Sequence, residues 1–100
     1  MKTTFKTEGQ NYVMTFEGRL DTSATTQTDK DMQRLYDCEG HDIILDCHGL
    51  EFISSSGLRL FLRLLKQAKS KGSQVCLTGL TNDLRKVFDE TGFTHLFKVV

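Results

Sequence analysis

The chain has 100 residues, enough for one domain and one core. A domain of this size buries roughly two-thirds of the surface its unfolded form exposes, which leaves no room for a second core or a deep catalytic cavity. Thirteen Lys and Arg balance 13 Asp and Glu, so no net positive field draws the chain onto nucleic acid or an anionic membrane.

In chain order, Thr3–Thr7 and Asn11–Arg19 read as strands. In the second, Tyr12, Met14 and Phe16 alternate with Val13, Thr15 and Glu17. Glu8-Gly9-Gln10 between them is a short Gly-containing turn, which predicts an antiparallel hairpin. Asp21, Thr22 and Ser23 are N-cap types, and a helix is expected from there to about Cys38, with Ala24, Thr28, Met32, Leu35 and Tyr36 on one stripe. Its Thr-rich start has poor helix propensity, so tertiary packing must hold it. Gly40 suits the left-handed position that ends a helix.

His41–Cys47 reads as a strand, and the run Ile43-Ile44-Leu45 suggests one covered on both faces. Gly49–Ile53 is expected as a loop with buried anchors, leading through Ser54-Ser55-Ser56-Gly57 into a strong helix from about Ser56 to Ser70. Leu58, Phe61, Leu62, Leu65 and Ala68 form its apolar stripe, widened by Leu60 and Leu64, while Arg59, Arg63, Lys66 and Lys69 face water. Gln74–Thr78 is a further buried strand, Asn82–Thr91 a third helix ended by Gly92, and Leu96–Val100 a last short strand or extended tail. The order β-β-α-β-α-β-α-β predicts one small α/β domain over residues 1–100. It has a mixed sheet of four to five strands, an N-terminal hairpin and three helices.

Charge is not spread evenly. Asp21–Asp46 is acidic and Arg59–Lys71 is basic, which reads as two solvated faces of opposite sign. No window approaches 18 apolar residues, so no spanning helix is expected, and Met1–Thr7 lacks the apolar core of a signal peptide. Cys38, Cys47 and Cys76 are odd in number and widely spaced, which fits reduced thiols in a cytoplasm.

The segment Asp46–Leu58 carries the chemistry. A buried strand is expected to end in Asp46, and a loop then brings three serines to a helix start. In open α/β sheets the carboxyl ends of strands meet ligands and partners. That edge is expected to gather Asp21, Thr22, Ser54, Ser55, Ser56 and Thr81. A serine there either caps the helix or accepts a phosphate, which adds about −1.5 to −2 charges at pH 7.

Gly18-Arg19-Leu20-Asp21, Asp46, Phe52-Ile53-Ser54-Ser55-Ser56-Gly57-Leu58 and Phe88-Asp89-Glu90-Thr91-Gly92-Phe93 together resemble the STAS domains, and within them the bacterial anti-sigma factor antagonists. The likeness covers roughly residues 5–100. It implies a partner switch that regulates transcription. The unmodified protein binds an ATP-bound anti-sigma factor that is also a serine kinase, and so frees a sigma factor. Phosphorylation of the second serine of the Ser-Ser-Gly motif, here Ser56, weakens the complex, and a serine phosphatase is the implied reversing partner. The resemblance places partner binding on Asp21, Thr22, Ser54, Ser55, Ser56, Gly57, Leu58 and Arg59. Ser54 stands where many members carry Asp. The carboxylates of Asp21 and Asp46 are expected to add to the phosphate's repulsion of an acidic partner patch. The free chain is expected to be a monomer, with no cofactor, no metal, no nucleic acid and no membrane as partner.

Rival readings are weaker. A hydrolase elbow with Ser56 as nucleophile needs Gly-x-Ser-x-Gly, and around Ser56 neither glycine stands at the required offset. Cys38-x-x-His41 has ligand-like spacing, yet Cys38 ends a helix and Cys47 reads as a core thiol. A redox Cys-x-x-Cys is absent. The runner-up is a STAS scaffold or sensor module that works without phosphorylation in a signalling or transport-linked assembly.

Overall fold

A computed structural model describes all residues, Met1–Val100. It contains β1 (Lys2–Glu8), β2 (Asn11–Leu20), α1 (Thr25–Met32), β3 (Asp42–Ile53), α2 (Ser55–Ser70), β4 (Val75–Thr78), α3 (Asn82–Glu90) and β5 (Lys98–Val99). The strands form one sheet in the order β1-β2-β3-β4-β5. β1 and β2 pair antiparallel as the expected hairpin, and every later pairing is parallel.

The register sorts the side chains into two faces. Phe5, Met14, Leu45, Leu77 and Val99 stand in one row across all five strands, and all join or pack against a 22-residue buried cluster with Phe61, Leu64 and Phe88 from α2 and α3. The neighbouring row, Lys6, Val13, Ile44, Cys76 and Lys98, points the other way. Val13 is buried there, yet it lies outside that cluster. The helices therefore cover one face only. This corrects the expectation that β3 is covered on both faces: Ile43 and Leu45 are buried, whereas Ile44 between them is half-buried.

The first helix is shorter than expected. An α-helical body, Thr25–Met32, lies between 3₁₀ turns at Thr22–Ala24 and Gln33–Tyr36, and Cys38 lies beyond it. The Asp21 carboxylate, accepting from the Ala24 N–H, caps the first tight turn, and burial of Thr28, Met32 and Leu35 explains why the stripe still docks. Gly92 takes a φ of +77° just past α3, as expected of a residue that ends a helix with a left-handed step. Gly40 does not end the first helix: its φ of +80° belongs to a separate turn at Glu39–Gly40, beyond the 3₁₀ turn that closes at Tyr36.

The largest departure is in β3. The strand does not end at Cys47 but continues through Gly49–Ile53, pairing with Glu17, Gly18, Arg19 and Leu20 of β2. Gly49 permits this approach, because a Cβ there would stand 2.9 Å from Glu17 Cγ and 3.2 Å from the Phe16 carbonyl oxygen. Of the expected buried anchors, Leu50 and Ile53 are buried but Phe52 is exposed.

Candidate functional site

β3 runs straight into α2, and Ser54 is the hinge between them. Its backbone N–H donates to the Leu20 carbonyl at 2.9 Å, tying the helix start to the end of β2. Its hydroxyl accepts from the Gly57 N–H at 3.1 Å, which makes it the N-cap. Ser55 and Ser56 occupy the first two helical positions. Ser55 is exposed and Ser56 half-buried. The Ser56 hydroxyl makes no hydrogen bond within the chain.

Gly57 and Leu58 face inward. A Cβ on Gly57 would stand 2.8 Å from both Ile53 Cγ1 and Leu20 Cγ, so α2 settles onto β2 and β3 only because that side chain is missing. Leu58 is 7% exposed. Their expected place on a partner surface is therefore corrected to packing beneath it. The residues of that set open to a partner are Asp21, Thr22, Ser54, Ser55, Ser56 and Arg59.

Asp21 lies next to this segment, since Leu20 both packs on Gly57 and bonds Ser54. It caps the 3₁₀ turn, accepting the Ser23 hydroxyl at 2.7 Å and the Ala24 N–H at 3.0 Å. These two bonds hold its carboxyl below the ordinary carboxylate value. Thr22 is exposed beside it, and Thr81 caps α3 through the Leu84 N–H at 3.2 Å. Phe52 adds an aromatic surface near the same edge, with the Arg19 guanidinium 4.4 Å above its ring.

Asp46 is not part of this site. It sits mid-strand, eight residues before Ser54; it pairs with Thr15 whereas Ile53 pairs with Leu20, which puts it roughly 15–20 Å from Ser54 at the rise of a strand. Burial raises its pKa. The ring and backbone N–H of His48, at 2.6 and 3.1 Å, outweigh that effect and hold it below the ordinary value. The expected contribution of Asp46 to repulsion at Ser56 fails because β3 is longer than its apolar run.

The groups that do surround Ser56 come from α1 and from its own helix. Ser56, Arg59, Leu60 and Arg63 line a shallow groove of about 310 Å³ with Thr25, Thr26 and Asp29. Arg63 Nη1 lies 3.5 Å from Asp29 Oδ2, where the acidic and basic stretches of the sequence meet. Beside them the buried Tyr36 hydroxyl lacks a hydrogen-bond partner. Burial and the Asp29 carboxylate push its pKa up, against the opposing pull of Arg63. Sequence reasoning missed Thr25, Thr26, Asp29 and Arg63 as neighbours of Ser56. The i, i+3, i+7 spacing of Ser56, Arg59 and Arg63 was the available signal.

No three His, Cys, Asp or Glu side chains converge in a way that would hold a metal ion. Burial pushes the Cys47 thiol up to about 12, as suits a core thiol. No helix is long and apolar enough to cross a membrane.

Comparison with known proteins agrees with this architecture. BtrV of Bordetella bronchiseptica, named provisionally as an anti-sigma factor antagonist, is 32% identical over 81 residues; these are 81% of this chain and 63% of BtrV. The chain thus spans less than two-thirds of that relative. An anti-sigma-factor antagonist (STAS) domain protein from Planctomyces limnophilus superposes with a TM-score of 0.88 at 19% identity, covering 98% of this chain and 87% of that one. The Bacillus cell fate determinant SpoIIAA, in its phosphorylated form, superposes with a TM-score of 0.75 at 21% identity, covering 99% of this chain and 91% of its own. The STAS domain family model matches residues 2–100, and the chain belongs to that family.

Proposed function

We propose that this chain is an anti-sigma factor antagonist, a non-enzymatic cytoplasmic regulator controlled by phosphorylation of Ser56. The observation that carries the reading is the division of labour between two serines. Ser54 holds the cap of α2, so Ser56 stands at the same helix start with its hydroxyl unbound. A kinase can take that hydroxyl without breaking a bond that holds the fold. The names of BtrV and of the SpoIIAA forms, unphosphorylated and phosphorylated, support the same reading.

In this account the anti-sigma factor docks on the surface of Asp21, Thr22, Ser54, Ser55, Ser56 and Arg59 and carries ATP. Its kinase activity transfers the γ-phosphoryl group to Ser56. A bond forms from Oγ to phosphorus, the β–γ bridging bond breaks to release ADP, and the hydroxyl proton passes to a base of the kinase. The new charge disfavours the docked state by repulsion and lost fit. A serine phosphatase restores the binding form.

Pull-downs from the source cell, with and without ATP, test the binding half of this account. Ser56→Ala is expected to hold the kinase partner through ATP addition, and Ser56→Asp to hold it weakly. Equal retention of both variants would overturn the switch and favour the phosphorylation-independent scaffold reading.

A further inference from the structure

We propose that Arg59 is an intramolecular receptor for a phosphate on Ser56, so that modification withdraws Arg59 from the partner surface as well as adding charge to it. The inference rests on the reading of Ser56 as the modified residue, and it concerns what the phosphate does once formed.

Ser56, Arg59 and Arg63 stand at i, i+3 and i+7 on one face of α2, and all three line the same groove against α1. The two arginines differ in what they already hold. Arg63 is engaged with Asp29 at 3.5 Å, longer than the roughly 2.7–2.9 Å of a tight charge-assisted bond. Arg59 is exposed, one turn from Ser56, and has neither a carboxylate nor a hydrogen-bond partner in the chain. A phosphoserine offers three acceptor oxygens and about two negative charges. A guanidinium fork meets such an anion bidentately. The unengaged arginine is the nearer fit, and Arg63 is a second donor available only at the expense of Asp29.

The charged groups that line the groove with Ser56 are Arg59 and Arg63 of α2 and Asp29 of α1; Asp21 caps the 3₁₀ turn that precedes α1 and is not among them. Asp29 is the opposing charge. It repels the phosphate and occupies Arg63, so its carboxylate sets how far the second arginine contributes. The α2 N-terminus also favours an anion, but equally in every side-chain variant, and so it drops out of the comparison.

The test uses the full chain with phosphoserine installed at position 56 during synthesis, which needs no kinase. Phosphorus NMR then follows the second ionisation of the phosphate. Replacing Arg59 by Gln is expected to raise its midpoint by about 0.5 pH unit or more, a threefold or larger gain in proton affinity. Arg59→Lys recovers part of the difference, because it restores charge without the fork. Asp29→Asn lowers the midpoint below that of the unsubstituted phosphoprotein. An unchanged midpoint in Arg59→Gln would overturn the proposal, as would a larger effect from Arg63→Gln than from Arg59→Gln. A partner kinase that ignores Ser56 would count against the functional reading alone, because the installed phosphoserine still reports on Arg59.

Discussion

The Ser54 hydroxyl accepts the Gly57 backbone N–H at 3.1 Å, and this one bond separates two serines that look alike in the sequence. Ser54→Ala leaves an N–H of the first helical turn without its partner and should cost about 1 kcal/mol of stability. Ser54→Asp supplies an equivalent acceptor and should preserve it. Ser56→Ala removes no bond and should stay within about 0.5 kcal/mol of the parent. Urea unfolding of the three variants checks the order; a Ser56→Ala loss as large as that of Ser54→Ala would reassign the cap.

Gly57 sets how closely α2 lies on the sheet. Alanine there would place Cβ 2.8 Å from Ile53 Cγ1 and Leu20 Cγ, both in buried side chains. Gly57→Ala should therefore destabilise by about 1–3 kcal/mol through overpacking. Leu20→Ala removes one of the clashing groups, so the double variant should lose less than the sum of the single losses. Strict additivity in denaturant unfolding would contradict this packing.

The Arg63–Asp29 pair is placed to respond and contributes little to stability. The side chains are 56% and 33% exposed and 3.5 Å apart, so a double-mutant cycle with Arg63→Ala and Asp29→Asn should give a coupling below about 1 kcal/mol. High salt should shrink it further. A larger coupling that resists salt would mean that the α1–α2 groove is a rigid structural joint.

Acid should weaken the fold through two carboxylates. The Ser23 and Ala24 bonds to Asp21, and the His48 bonds that outweigh burial at Asp46, hold both pKa values below the ordinary 3.8. A lowered folded pKa means that the unfolded chain takes up the proton first on acidification. The stabilising effect is thus complete above about pH 4 and is lost as pH falls through the folded values. Thermal unfolding across this window should show a shallower acid decline for Asp46→Asn than for the parent chain. An unchanged decline would mean that the His48 contact does not persist in solution.

The legible parts of the sequence were those whose cause is local. The hairpin followed from alternation around Gly9, and α2 from a stripe of leucines above four cations. Gly92 at the end of α3 followed from the need for positive φ. The strand beyond Cys47 was hidden because Gly49 and Glu51 interrupt its apolar pattern. What holds Gly49–Ile53 extended is pairing with β2, some thirty residues earlier in the chain. The same extension of β3 separates Asp46 from the serines. The site divided in the same way. Ser54, Ser55 and Ser56 were visible as a motif, while Asp29 joins them only because α1 packs along α2.

Phosphopeptide mapping after incubation with the partner kinase and ATP decides whether Ser56 is the switch. A single phosphate is expected on Ser56, with Ser54 and Ser55 unmodified and no incorporation into Ser56→Ala. Phosphate on another residue, or none with a kinase that binds the chain, would contradict that role.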